Sequence, residues 1–103
     1  MASTSGTRFE IQKFDNKNFS LWEEMMQGVL IIRRQIEAIR HREKPASILV
    51  EEWKSIDEIA RSTIRMHLAE NVYYNMAKET TTFTFWEKLQ DIYKKQSSLS
   101  NSY

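Results

Sequence analysis

Few side chains in this sequence are of types that do chemistry, and their spacing limits what they can do. The two histidines, His41 and His67, lie far apart in the chain, and neither has a second histidine three or four residues away to make a metal pair. Without cysteine, two imidazoles cannot furnish a typical zinc site. The same absence removes disulfides and thiol nucleophiles. Carboxylates occur as the adjacent pairs Glu23-Glu24, Glu51-Glu52 and Asp57-Glu58. Adjacent residues on a helix point in different directions, so these pairs are solvated charge rather than acid–base dyads. Gly6 and Gly28 are the only glycines, too few for a phosphate-cradling loop. The expectation is a protein with no catalytic residue, no metal, no cofactor and no small-molecule substrate. One ionic feature remains. Arg33, Arg34, Arg40, His41, Arg42 and Lys44 gather in one stretch and could line a phosphate-binding edge for RNA. Glu37 and Glu43 sit among them, and the only aromatics between Lys17 and Glu52 are Phe19 and Trp22. A basic face of this kind more often serves solubility, so RNA contact is the lesser reading.

Whole-chain charge agrees with that weighting. Fifteen Lys and Arg stand against fourteen Asp and Glu, a net charge of +1, which creates no overall field for drawing in nucleic acid. No apolar run approaches the ~20 residues of a membrane span, and the N-terminus lacks a signal-peptide core. No membrane association is expected, and the expected location is the cytosol with access to the nucleus. The opening MASTSGTR is polar, too short for a transit peptide, and reads as a disordered lead-in over 1–8.

These residues must be positioned by a small scaffold. The 103 residues suit one domain, and 41% hydrophobic and 12% aromatic content supplies its core. Two glycines and one proline are too few for repeated sheet turns, which favours long helices. The expected fold is all-α: a compact bundle of four to five amphipathic helices over 9–95, with an extended N-terminal arm and a frayed tail at 96–103.

Along the chain, Phe9, Ile11 and Phe14 form the arm, and Asp15–Asn18 has turn composition. Ser20-Leu21-Trp22-Glu23 has the form of a capping box, with Phe19 placed to staple onto the stem of Glu24 or onto Met25. Trp22, Met25, Met26, Val29, Leu30 and then Ile32 or Arg33 make one helical stripe. Gly28 weakens its middle and suggests close packing. A second short helix or a continuation is expected over Arg34–Arg40, then a loop at His41–Ser47 containing Pro45. The longest helix runs from Val50 to Ala69, with the stripe Trp53, Ile56, Ala60, Ile64 and His67 or Leu68, and an Asp57–Arg61 pair. Glu70-Asn71 interrupts, and Val72, Tyr73, Met76 and Ala77 add a turn or two. A threonine cap within Lys78–Thr82 precedes a last helix marked by Phe85 or Trp86, Leu89, and Ile92 or Tyr93. Trp22, Trp53 and Trp86, each at or near a helix start, read as core anchors.

The segments KFDNKNFSLWEEMMQGVL, DEIARSTIRMHLAENV and KETTTFTFWEKLQDIY together resemble the N-terminal part of the Gag polyprotein of copia-type LTR retrotransposons, especially plant ones. The resemblance rests on Phe19, Leu21 and Trp22 entering the first helix, on Trp53, Asp57, Ala60 and Ile64, and on Trp86, Leu89 and Tyr93. It covers Phe9 to Lys95. What it implies is a capsid-like helical fold whose family role is self-association into a particle shell. Family members continue into a second helical half, a zinc knuckle and enzymes. This sequence reaches Tyr103 without cysteine, so knuckle-based genome packaging is not expected. Thr84 stands where many relatives carry the acidic residue of a capping box, which implies a weaker cap. The expected role is a non-enzymatic interaction module. Its first partner is a second copy in a dimer, and full-length Gag or a host protein are the alternatives. The apolar surface that a second half would cover needs another polypeptide.

Overall fold

The computed structural model describes residues 13–94. The lead-in, Phe9 and Ile11 of the expected arm, and the tail from 95 onward lie outside that range. Five helices follow in order among the described residues: α1 (Phe19–Ile32), α2 (Glu37–Arg40), α3 (Val50–Met66), α4 (Glu70–Tyr74) and α5 (Thr82–Leu89). The last continues as a wider π-type turn, Gln90–Lys94. No strand occurs among the described residues beyond one isolated bridge, and the class is all-α as expected.

The turn before α1 uses Asn16 and Asn18 in left-handed conformations (φ 84° and 58°), which asparagine tolerates better than most residues. Trp22 N–H donates to the Asn18 carbonyl at 3.1 Å, so the helix starts earlier than a Ser20 cap requires. The expected capping box therefore does not form. Ser20 lies inside the helix, and Glu23 is buried, where it accepts a hydrogen bond from Gln90 Nε2 at 2.6 Å. The staple is absent too. Phe19 is 1% exposed in the core, whereas Met25 is 45% exposed on the far side of the helix.

At its other end α1 closes with Arg34 N–H on the Ile31 carbonyl (3.0 Å) and Gln35 N–H on the Leu30 carbonyl (2.7 Å). Arg34 (φ 61°) stands where such closures usually place glycine. That turn delays the second helix, which begins at Glu37 rather than Arg34. Thr63 Oγ1 donates to Gln35 Oε1 at 3.0 Å and ties the junction to α3.

The longest helix stops at Met66, short of the expected Ala69, because the arm takes over the backbone there. Phe14 N–H donates to the His67 carbonyl at 2.9 Å, and Ala69 N–H donates to the Phe14 carbonyl at 3.0 Å. Glu70 accordingly opens α4 instead of interrupting a helix. At α5 the threonine cap is present: Thr81 Oγ1 accepts from Thr84 N–H at 3.2 Å.

The core is aromatic where the arm, α1 and the chain's last turn meet. Phe14 meets Tyr93 edge-on with ring centroids 5.0 Å apart, and Trp22 stacks with Trp86 at 5.8 Å. Met26, Leu30, Ile36, Ala38, Ala60, Ile64, Leu68, Val72, Met76, Phe85 and Leu89 complete it, with Ile56 half-buried at its margin. Two expected core residues are not there. Leu21 is 54% exposed, and Trp53 is half-buried outside the main cluster. The expected close approach at Gly28 is also absent: a Cβ there would meet no atom within 4 Å. Gly28→Ala is therefore expected to raise stability by about 0.5–1 kcal/mol through backbone entropy and helix propensity, read as an increase in thermal midpoint.

Candidate functional site

The outer face of α1 is the largest departure from an ordinary solvated helix. Leu21, Met25, Gly28 and Ile32 follow a four-three-four spacing, which places them in one row opposite the buried Trp22, Met26 and Leu30. Ile32 is 82% exposed, and Ile31 beside the row is half exposed. Alongside runs a groove of about 560 Å³, lined by Lys13, Phe14, Lys17, Leu21, Trp22 and Met25 among others. Leu21 and Met25 belong to both the row and the groove, and Lys13, Asp15, Lys17 and Asn18 give the groove a polar side.

The basic edge is less available than its sequence suggests. Glu37 holds Arg40 at 3.6 Å and His41 at 2.7 Å. Arg42 pairs with Glu87 at 3.3 Å and lies over the Phe83 ring, 4.7 Å from its centroid. Lys44 Nζ donates to the Ile48 carbonyl at 2.7 Å. Arg34 closes α1 through its backbone, and Arg33, also exposed, is the residue that ends that helix.

The fold also brings aromatics to this edge, which reading along the chain could not do. His41, Arg42, Trp53, Lys54, Asp57, Thr81 and Phe83 line a cleft of about 200 Å³ between the loop after α2, the start of α3 and the start of α5. Phe83 is the residue sequence reasoning missed. Its one signal is an aromatic set off the Trp86–Leu89–Tyr93 stripe. Asp57 forms its expected pair with Arg61 (2.6 Å) and additionally accepts from the Thr82 N–H (2.8 Å), fixing the cleft's floor.

Each histidine is engaged by the residue four positions before it. His41 meets Glu37, and His67 Nδ1 donates to the Thr63 carbonyl at 2.8 Å. Among the described residues, no group of three His, Cys, Asp or Glu is placed to hold a metal ion, and no helix is long and apolar enough to cross a membrane.

Against known proteins, the sequence is 32% identical over 101 residues to the retrovirus-related Pol polyprotein from transposon TNT 1-94 of Nicotiana tabacum. The match takes in 96% of this chain and 8% of that polyprotein. The chain is related to a copia-type retrotransposon polyprotein. A match of that extent takes in the tryptophan motifs and is consistent with a Gag-like region. No protein-family model and no solved structure matches this retrotransposon-related chain.

Proposed function

We propose that this Gag-like chain is a non-enzymatic interaction module that pairs with a second copy of itself through the outer face of α1. The observation that carries the reading is the row Leu21, Met25 and Ile32, apolar and exposed on a helix whose opposite side is already buried. Desolvating such a row stabilises association without any chemistry, and a second copy offers a self-complementary surface. One pair of short helices lies at the low end of interface sizes, below about 1,200 Å², so pairing should depend on concentration. The same surface would join a longer Gag chain that carries the equivalent helix.

Sedimentation equilibrium tests this directly. The wild-type chain should shift from monomer to dimer as concentration rises, and Ile32→Asp should remain monomeric. Because Ile32 is 82% exposed the substitution loses little packing, and with a negative charge at the C-terminal end of α1 it should cost no more than about 1 kcal/mol of folding stability. A wild-type chain that stays monomeric at the highest attainable concentration contradicts the reading, as does an aspartate variant that dimerises equally well.

A further inference from the structure

We infer that the groove at the end of α3 is an intramolecular docking site whose occupant is residues 9–12 of this same chain, with Phe9 and Ile11 laid against Met66. The N-terminal arm then closes that surface to other chains. The inference does not rest on pairing through α1.

Three observations point to this occupant. The first is the groove itself, about 340 Å³, lined by Lys13, Ser62, Arg65, Met66, Leu68 and Tyr73 among others. The Arg65 guanidinium lies over the Tyr73 ring, 4.3 Å from its centroid, and gives the groove a flat wall. Met66, the last residue of α3, is 64% exposed beside it. A thioether side chain adapts readily to whatever apolar groups meet it.

The second is direction. Phe14 and Leu68 form a parallel bridge, closed by Phe14 N–H on the His67 carbonyl and Ala69 N–H on the Phe14 carbonyl. Parallel segments run the same way, so the residues before Phe14 leave alongside those before Leu68, back along the end of α3. At about 3.3 Å per extended residue, Ile11 comes about 10 Å upstream of Phe14. That distance passes Met66 and approaches Ser62, roughly one helical turn earlier in α3.

The third is register. Phe14 is buried, and successive extended residues point to alternate sides, so Lys13, Ile11 and Phe9 share the side opposite Phe14. Lys13 lines the groove from that position. Upstream of it, Phe9-Glu10-Ile11-Gln12 alternates apolar and polar residues, the pattern of an extended segment with one side covered. Attachment through Lys13 also gives this segment a local concentration that a free partner does not reach in dilute solution. The arm is therefore the favoured occupant over a second copy.

Methionine oxidation in the full chain tests this, with Met25 on α1 as the internal standard. Oxidation follows exposure, and among the described residues Met66 is the more exposed of the two, 64% against 45%. With the arm docked, Met66 should nonetheless oxidise more slowly than Met25 in dilute peroxide, as read by mass spectrometry on dilute protein. Combining Phe9→Asp with Ile11→Asp should raise the Met66 rate about threefold or more and leave Met25 unchanged. A second measurement separates this chain's arm from a neighbour's. Because the sequence has no cysteine, Ile11→Cys with Ser62→Cys introduces the only two thiols. A short bis-maleimide should join them within one molecule, and should join Ile11→Cys to Met25→Cys far less. Met66 oxidising faster than Met25 in the wild-type chain, or at an unchanged rate in the double aspartate variant, would overturn the inference. So would a linked product of twice the chain mass, or equal linkage to Met25→Cys.

Discussion

Trp22→Ala is expected to lower the unfolding free energy by about 4 kcal/mol, a large part of the ~5–15 kcal/mol available to a domain of this size. The indole is 4% exposed and sits where four parts of the chain converge. It stacks on Trp86 at 5.8 Å, lies 5.4 Å from Phe14 and 5.7 Å from Phe19, and donates Nε1–H to the His67 carbonyl at 3.1 Å. Truncation would leave a cavity that fixed helices on either side cannot collapse, and it would free the arm that docks beside His67. Trp22→Phe separates the contributions. A phenyl ring remains, and the variant loses the indole hydrogen bond together with the volume of the second ring, while the His67 carbonyl keeps its bond from Phe14 N–H. That variant should cost about 1–2 kcal/mol. Urea denaturation followed by far-UV circular dichroism measures both. An alanine variant losing less than about 1.5 kcal/mol would mean that Trp22 is not the junction described above.

Removing the Asp57 carboxylate should have the next largest effect, a loss of about 2–3 kcal/mol in Asp57→Ala. One carboxylate oxygen accepts from Arg61 Nη1 (2.6 Å) and the other from the Thr82 N–H (2.8 Å), while Thr82 Oγ1 donates to the Asp57 carbonyl (2.6 Å). Thr82 is fully buried and begins α5, so its N–H is one of the helix's unpaired donors and has no water to turn to. A carboxylate at that end also meets the positive pole of the helix. Asp57→Asn keeps an acceptor for Thr82 but loses the charge, and should cost about 1 kcal/mol. The order wild type, asparagine, alanine is the expected result in denaturation. Hydrogen exchange at the Thr82 amide should speed up in the alanine variant alone. Equal losses in both variants would show that charge, and not the Thr82 bond, holds the two helices together.

Asp57 also shows where reading along the chain stops. Its pairing with Arg61 four residues on is a local helix contact, visible in the spacing alone. Its bond to Thr82 spans the loop and α4 and has no counterpart in any local pattern. Glu23 is the sharper instance. Its place after Ser20 satisfies the capping-box pattern, yet its partners are Gln90 at 2.6 Å and Lys94 at 3.6 Å, in the last turn of the described chain.

Periodicity was enough for the helical class, for the inner stripe Ala60–Ile64 of α3, and for the Trp86–Leu89–Tyr93 stripe, because polar residues mark the outside of those helices. It was not enough for α1. There Trp22, Met26 and Leu30 lie on one side and Leu21, Met25 and Ile32 on another, and the polar arc of Ser20, Glu24 and Gln27 runs between them without saying which is inside. Docking of Phe14 at the end of α3 and of Tyr93 against Phe19 settled the question, burying one side and leaving the other to solvent. Trp53 leaves the core despite its place on the α3 stripe for the same reason: a stripe gives a helix's direction, but how far along it the neighbours reach depends on elements distant in the chain. Local spacing carries information over a turn or two, and the location of an exposed surface is a property of the whole packing.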